Sequence, residues 1–389
     1  MKEKISVVMF SMSPYSEWVI EKKANRNYHV LKQLEKDDRI EKIISVDFLP
    51  HTIKRALTSF YKEQIKLKVG KTVRSDASTR VRKINEKTYV YETVDSVLST
   101  EMLSRKLSEV LDQLKFNNRV VWSFIPTFIG YYGNVSESVS VFDTVDNWAE
   151  HPTYKKIRKR LNRNYEYINE NVDVIFTVTE HLLHSLYPHH KNAYYIPNGV
   201  DVHHFQDEYD EPKDMQSIPH PRFGYGGVIQ NRVDFNMIKH AASTYPEYQF
   251  VFVGPVWPDA GDHVVKGMKN VHFLGKKGYD EWPAYLQNFD VGIIPHTIDK
   301  FVKSMNPLKM YEYLACGKSV VTTPVSGLSM FKDVVNVAKS GDEFTSILPQ
   351  ALDQNTLELK QKRIEAVRSH SWENRVQMML KSIFSVLNK

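Results

Sequence analysis

The stretch Asn306-Pro307-Leu308-Lys309-Met310-Tyr311-Glu312-Tyr313-Leu314-Ala315-Cys316-Gly317-Lys318-Ser319-Val320-Val321 decides how this chain is read. Pro307 suits the first turn of a helix, where its missing N–H costs nothing. Gly317 suits the end of that helix, and Ser319–Val321 then opens a strand. The apolar run Val291–Ile294 comes before it, so the unit is strand, helix, strand. The free N–H groups at the helix start then lie near the carboxyl end of the preceding strand. Glu312 falls one to two turns inside. A carboxylate there can accept from two neighbouring ribose hydroxyls, while Lys309 and the helix start attract phosphate. The plainer reading of the same residues is a surface helix ended by glycine, with Glu312 paired to a lysine.

Working outward, the same alternation fills most of the chain. Candidate strands before residue 206 are Ile5–Phe10, Lys42–Asp47, Val120–Phe124, Val139–Phe142, Val174–Val178 and Tyr194–Ile196. They are short apolar runs rather than alternating ones, the signature of strands covered on both faces. Between them, Leu103, Leu107, Val110, Leu111 and Leu114 make an amphipathic stripe. The acidic, proline-broken run Asp207–Asp214 reads as a linker. A second series follows: Phe223–Val228, Phe250–Val253, Val271–Leu274, Val291–Ile294, Ser319–Thr322 and Val334–Val337, with helices near 234–243, 279–289, 307–316 and 342–352. Two such series predict an α/β protein of two doubly wound Rossmann-like domains, 1–205 and 221–370, joined by 206–220 and facing a cleft. Residues 51–90 fit the alternation least; Ile53, Leu57, Phe60 and Tyr61 could share one face of an extra helix, followed by a mobile basic loop.

Composition agrees with a soluble globular class. The 389 residues are 42% hydrophobic and 25% charged, which excludes a disordered chain, a collagen or a coiled coil. At about 150 residues per domain, the length suits two or three. No run approaches the roughly 18 apolar residues of a membrane-crossing helix, and Ile5–Phe10 is strand length, shorter than a signal-peptide core. The single cysteine, Cys316, excludes internal disulfides and fits a reducing, cytoplasmic compartment. The net charge of +6 is unevenly spread: 11 Lys/Arg face 3 Asp/Glu between Lys54 and Lys87, and Lys155, Lys156, Arg158, Lys159, Arg160 and Arg163 cluster again. Such patches either solvate a helix face or meet something anionic, a membrane surface above all. No nucleic-acid module accompanies them.

The quoted stretch resembles the P-x-K-x-x-E-Y-L-A-x-G segment of GT-B glycosyltransferases, family four especially. Other pieces fall in that family's order. Ile196-Pro197-Asn198-Gly199-Val200-Asp201 with Phe205 resembles the run that closes the first domain. Gly224-Tyr225-Gly226-Gly227 with Arg232 and Asp234 resembles the first strand and loop of the second. Val253-Gly254-Pro255, Asn270–Gly275, Leu286, Asp290-Val291 and Pro295 follow in turn, and Trp372 matches a tryptophan near the end of such chains. Among members of the fold the chain looks most like bacterial cell-wall and exopolysaccharide transferases, including teichuronic-acid-type ones. The resemblance implies a donor site in the second domain made by Gly226, Gly227, Arg232, Asn306, Pro307, Lys309 and Glu312, with Glu312 on the ribose. It implies an acceptor domain in front, and a final helix, 371–389, that returns to it. It also implies no metal and no cofactor beyond the nucleotide-sugar substrate.

The chain departs from the pattern in four places, one being the loop after Phe124, Ile125-Pro126-Thr127, which lacks a histidine often found there. Ser304 stands where the family carries an earlier glutamate, the usual contact of the donor sugar. The glycine-rich loop after the first strand is replaced by Ser11–Trp18. Lys309 must supply the second charge of the usual phosphate pair.

Sugar transfer needs cations for the leaving diphosphate and, for inversion, a base for the acceptor hydroxyl. Asp143 and Asp146, at the end of Val139–Phe142, are the candidate catalytic carboxylates; turn or capping residues are the alternative. Among the histidines, His181, His184, His189 and His190 lie nearest to one another, with Glu180 the close carboxylate, too little for a zinc site.

The expected function is a metal-independent, hexosyltransferase-type glycosyltransferase using a UDP-, GDP- or similar sugar and a glycan or lipid-linked acceptor, cytoplasmic and peripheral at the inner membrane face. The alternatives are a non-catalytic nucleotide-sugar-binding subunit of a polysaccharide-synthesis complex, or a sugar-nucleotide epimerase or phosphorylase of the same fold.

Overall fold

A computed structural model describes residues 4–47, 69–95 and 99–389. The chain divides into two compact units, residues 1–196 with 376–389, and residues 197–375. The helix anticipated around Ile53–Tyr61 lies outside the described residues.

The first unit is built on a nine-stranded sheet. Its strands are β1 (Ile5–Phe10), β2 (Ile40–Asp47), β3 (Lys71–Ser75), β4 (Thr79–Lys83), β5 (Thr88–Thr93), β6 (Arg119–Ser123), β7 (Val139–Thr144), β8 (Val174–Thr177) and β9 (Ala193–Tyr195), in the order β3-β4-β5-β2-β1-β6-β7-β8-β9. All pairings are parallel except those of β4 with β3 and with β5. Both faces are covered, which is why β1 is buried throughout and apolar at every position but Ser6. Ile5, Val7 and Met9 enter one core, and Val8 and Phe10 the other. The last helix, Trp372–Leu387, carries Val376, Met379, Leu380 and Ile383 into the first of these cores. Their spacing puts all four on one face.

The second unit is built on a six-stranded parallel sheet. It comprises β10 (Arg222–Gly226), β11 (Gln249–Val253), β12 (Val271–Phe273), β13 (Val291–Ile294), β14 (Ser319–Thr322) and β15 (Asn336–Val337), ordered β12-β11-β10-β13-β14-β15. The order reverses between β10 and β13, where doubly wound sheets bind ligands at the strands' carboxyl ends. Residues 206–220, read from sequence as a linker, fall inside this unit. Met215 and Ile218 are in its core, and Arg222 donates to the carbonyls of both.

The α/β class and the doubly wound parallel sheets are as the sequence implied. The first sheet is larger than expected, because β3, β4 and β5 extend it by an antiparallel hairpin pair. In β3 and β4 charged and polar residues surround a single valine each, so no apolar run marks them.

Candidate active site

The helix Leu308–Ala315 leaves Pro307 and runs back beneath β13 and β14, with Tyr313 reaching the end of β10. It can approach closely because the facing strand positions are glycines. A Cβ on Gly226 would lie 2.4 Å from the Trp282 ring, and one on Gly292 2.5 Å from the Tyr313 ring. Tyr313 uses that proximity: its hydroxyl accepts from the Gly226 N–H at 2.7 Å. Gly227, just past the strand, has φ of +119°, a conformation that favours glycine.

Lys309 and Glu312 are one helical turn apart and share a face. The Lys309 ammonium is buried, 8% exposed. It donates to the Tyr225 hydroxyl at 3.0 Å, lies 3.5 Å from His296 Nε2 and sits 4.3 Å from the centre of the Tyr225 ring. Burial, with Arg232 nearby, lowers its pKa below the ordinary lysine value. Burial opposes ionisation of Tyr225 as well, yet the Lys309 and Arg232 cations outweigh it and lower the phenol's pKa. Burial and the same two cations hold the His296 imidazole neutral.

Arg232 is held by the Gln230 amide. With its oxygen toward the guanidinium, the amide accepts from Nη1 at 2.6 Å and Nε at 3.2 Å. Met305 Sδ lies 3.9 Å from Nη1. Among the described residues neither Lys309 nor Arg232 forms an ion pair with a carboxylate. Glu312 is the acid that acts on Lys309, and weakly. Its Oε2 accepts from Trp282 Nε1 at 3.1 Å. Burial pushes its carboxyl up to about 7, against the pull of Trp282 and Lys309.

The structure thus brings Gly226, Gly227, Arg232, Lys309 and Glu312 together at the carboxyl ends of β10 and β13. Asn306 and Pro307 stand at the start of the helix, Pro307 in extended conformation just ahead of its first residue. The Asn306 side chain is occupied locally. Its oxygen accepts from the Asn198 N–H and the Tyr311 hydroxyl, both at 2.9 Å, and Asn198 Nδ2 donates to its carbonyl at 2.7 Å. Asn306 therefore fastens the 197–200 segment to the helix. Ser304 is buried and donates to the Phe301 carbonyl at 2.7 Å.

The two carboxylates of the first unit differ. Asp143, the expected base, is fully buried on β7, and both its oxygens accept from Arg26 Nε, at 3.0 and 2.9 Å. Arg26 Nη2 also donates to the Ile196 carbonyl at 3.0 Å. In place of a base open to substrate there is a buried ion pair bracing β7, the helix of Arg26 and the segment at Ile196. Asp146 lies two residues beyond β7 and is partly exposed; its carbonyl accepts from the Tyr165 hydroxyl at 3.2 Å.

Sequence reasoning did not single out Tyr225, His296, Gln230 or Trp282. The available signal was position: Tyr225 lies inside the quoted glycine stretch, and His296 follows the end of β13.

Comparison with known proteins fits this geometry. A family model described as "Glycosyl transferase-like" matches residues 234–381, which include Lys309 and Glu312. A Bacillus subtilis (strain 168) protein described as a teichuronic acid biosynthesis glycosyltransferase, TuaH, is 28% identical over 303 residues, 71% of this chain and 76% of that protein. The E. coli trehalose-6-phosphate structure bound with UDP-2-fluoro glucose superposes with a TM-score of 0.68, covering 99% of each chain at 10% identity. A UDP-forming α,α-trehalose-phosphate synthase from Burkholderia vietnamiensis gives 0.66 at 12% identity, again over 99% of each chain. This is the GT-B glycosyltransferase fold. In GT-B terms the cation pair and Glu312 lie in the second Rossmann-like unit, the one that the family model matches.

Proposed function

We propose that this protein is a glycosyltransferase of bacterial cell-surface polysaccharide synthesis. It takes a sugar from a nucleoside diphosphate donor and passes it to a glycan or lipid-linked acceptor. The observation that carries the reading is the pair Lys309 and Arg232, two cations at a sheet switch point with no carboxylate partner among the described residues. Like charges brought together and desolvated call for an anion, and a diphosphate leaving group is stabilised by such a pair without a metal. Glu312, one turn on, is placed to accept ribose hydroxyls. A binding subunit without catalysis is less favoured, since the family match and the TuaH likeness both point to transfer.

Asp146 remains the candidate carboxylate of the acceptor side. The exposed basic residues 155–163 suit a protein working peripherally on lipid-linked acceptors at the cytoplasmic face of an anionic membrane.

The test is a thermal-shift screen against UDP, GDP, ADP, CDP and dTDP, because a ligand bound by the native state alone raises Tm. One of the five is expected to stabilise the wild type. Glu312→Ala is expected to weaken that ligand by about 1.5–3 kcal/mol, the scale of hydrogen bonds to a charged group, and to abolish hydrolysis of the matching nucleotide-sugar. Unchanged calorimetric affinity in Glu312→Ala would remove the ribose assignment.

A further inference from the structure

Buried ammonium groups are ordinarily held by carboxylates. Lys309 is held by a phenol and an imidazole, both uncharged. The Tyr225 hydroxyl donates to the Val228 carbonyl at 3.2 Å, so it keeps its proton while accepting from Lys309. His296 Nε2 lies 3.5 Å from Lys309 Nζ and 3.3 Å from the Tyr225 oxygen. With the Tyr225 proton directed to Val228, Nε2 is the acceptor and the ring hydrogen sits on Nδ1. That Nδ1 is buried and meets no hydrogen-bond partner among the described residues. The backbone of His296 is fixed from two sides. Thr323 donates to its carbonyl at 2.8 Å, and the residue bridges to Val233. The second cation follows the same rule, since Arg232 is held by an amide and a thioether.

We propose that Tyr225, His296 and Gln230 are positioning residues that fix the two cations while leaving their charge uncompensated. A carboxylate in any of these places would orient the cation equally well, but it would cancel the field that an incoming diphosphate meets. Neutral acceptors direct the N–H groups and keep the full charge for the ligand. This inference rests on the diphosphate reading of the same site and assigns the residues that make it selective for charge.

The decisive comparison is His296→Glu against His296→Gln, each titrated by calorimetry with the nucleoside diphosphate chosen by the thermal screen and with its parent nucleoside. His296→Glu is expected to lose at least about tenfold in diphosphate affinity and to keep its nucleoside affinity. The uncharged Gln is expected to recover most of the loss. Equal affinity in His296→Glu and wild type would overturn the proposal. So would equal losses in Glu and Gln, which would make His296 a packing residue. If His296→Glu does not fold, as judged by its melting transition, Gln230→Glu puts the same question at Arg232 and is read in the same way. A wild-type chain that binds none of the five diphosphates overturns the donor reading itself; variants that bind like a functioning wild type overturn only the neutral cradle.

Discussion

At the scale of the residue, Glu312 decides how the site responds to pH. Its carboxyl titrates near 7 in the native state and near 4.5 when unperturbed. Between those values the native chain holds a proton that the unfolded chain has released. Stability therefore falls as pH rises across that window and levels off above it. Glu312→Gln removes the titration, so its unfolding free energy is expected to run flatter from about pH 4.5 to 7, gaining on the order of 1–3 kcal/mol over wild type at the upper end. Urea titrations at several pH values check this, and parallel curves would show that the carboxyl is solvated. His370 works with the opposite sign. Burial and the neighbouring Arg375 push its pKa down to about 4. Its contribution is complete above pH 6.5 and is lost as pH falls toward 4. Asp143 gives the sharpest test among single residues. A catalytic base replaced by asparagine loses activity and keeps stability. A buried partner of Arg26 loses stability, by about 3–5 kcal/mol when one member is removed. Asp143→Asn is expected to behave as the second, with its urea midpoint falling well below wild type.

At the scale of the element, Gly226 in β10 and Gly292 in β13 set how near the Trp282–Gln287 helix and the Leu308–Ala315 helix come to the sheet. Gly226→Ala would drive a methyl into the Trp282 ring, whose Nε1 steadies Glu312. It is expected to cost about 1–3 kcal/mol by overpacking and to weaken nucleotide binding as well. Gly227→Ala meets Lys309 at an ordinary 3.5 Å but must adopt a strained φ. Melting temperature and calorimetry on the two variants separate a displaced tryptophan from a strained backbone. The elements that sequence revealed best were those with a single requirement. β1, β13 and β14 are buried on both faces, so short, mostly apolar runs announce them. Pro307 and Gly317 likewise mark the ends of their helix. The hairpin β3–β5 was invisible for a physical reason. Arg80 and Arg82 flank the buried Glu92 at 3.7 and 3.5 Å, so charges occupy positions where apolar residues would have signalled a strand. The neutral holders of Lys309 were equally hidden. Tyr225 and His296 are far apart in sequence, and they meet because β10 pairs with β13 in the register Phe223 to Val291 and Gly224 to Gly292. No spacing within either strand encodes that meeting.

At the scale of the whole molecule, charge placement leads to a prediction about surfaces. The chain carries +6 overall, and its basic residues are concentrated. Lys155, Lys156, Arg158, Lys159, Arg160 and Arg163 are all exposed along the 3₁₀ turn Pro152–Ile157 and the helix Arg158–Asn171. Arg158 reaches Glu150 at 3.8 Å; among the described residues the other five pair with no carboxylate. Leu161, Tyr165 and Ile168 turn inward from the same helix, so the basic face is its solvent side and is free to meet a surface. The other basic run, Lys54–Lys87, lies partly outside the described residues, as do Ile53, Leu57 and Phe60, the side chains considered for shallow insertion. Near an anionic leaflet each lysine or arginine contributes about 1 kcal/mol, so roughly four or five engaged charges give weak, reversible attachment. No described helix is long and apolar enough to cross a membrane. The protein is therefore expected to sediment with phosphatidylglycerol-containing vesicles at low ionic strength and to be released as the Debye length shrinks with added salt. Neutral phosphatidylcholine vesicles should leave it in solution. Replacing Lys155, Lys156, Lys159 and Arg160 by glutamate reverses the patch without touching the inward face. It should abolish sedimentation while melting temperature and nucleotide affinity hold. Equal binding to neutral and anionic vesicles, or sedimentation that survives both salt and charge reversal, would assign the contact to apolar insertion and leave the basic face a solvated one.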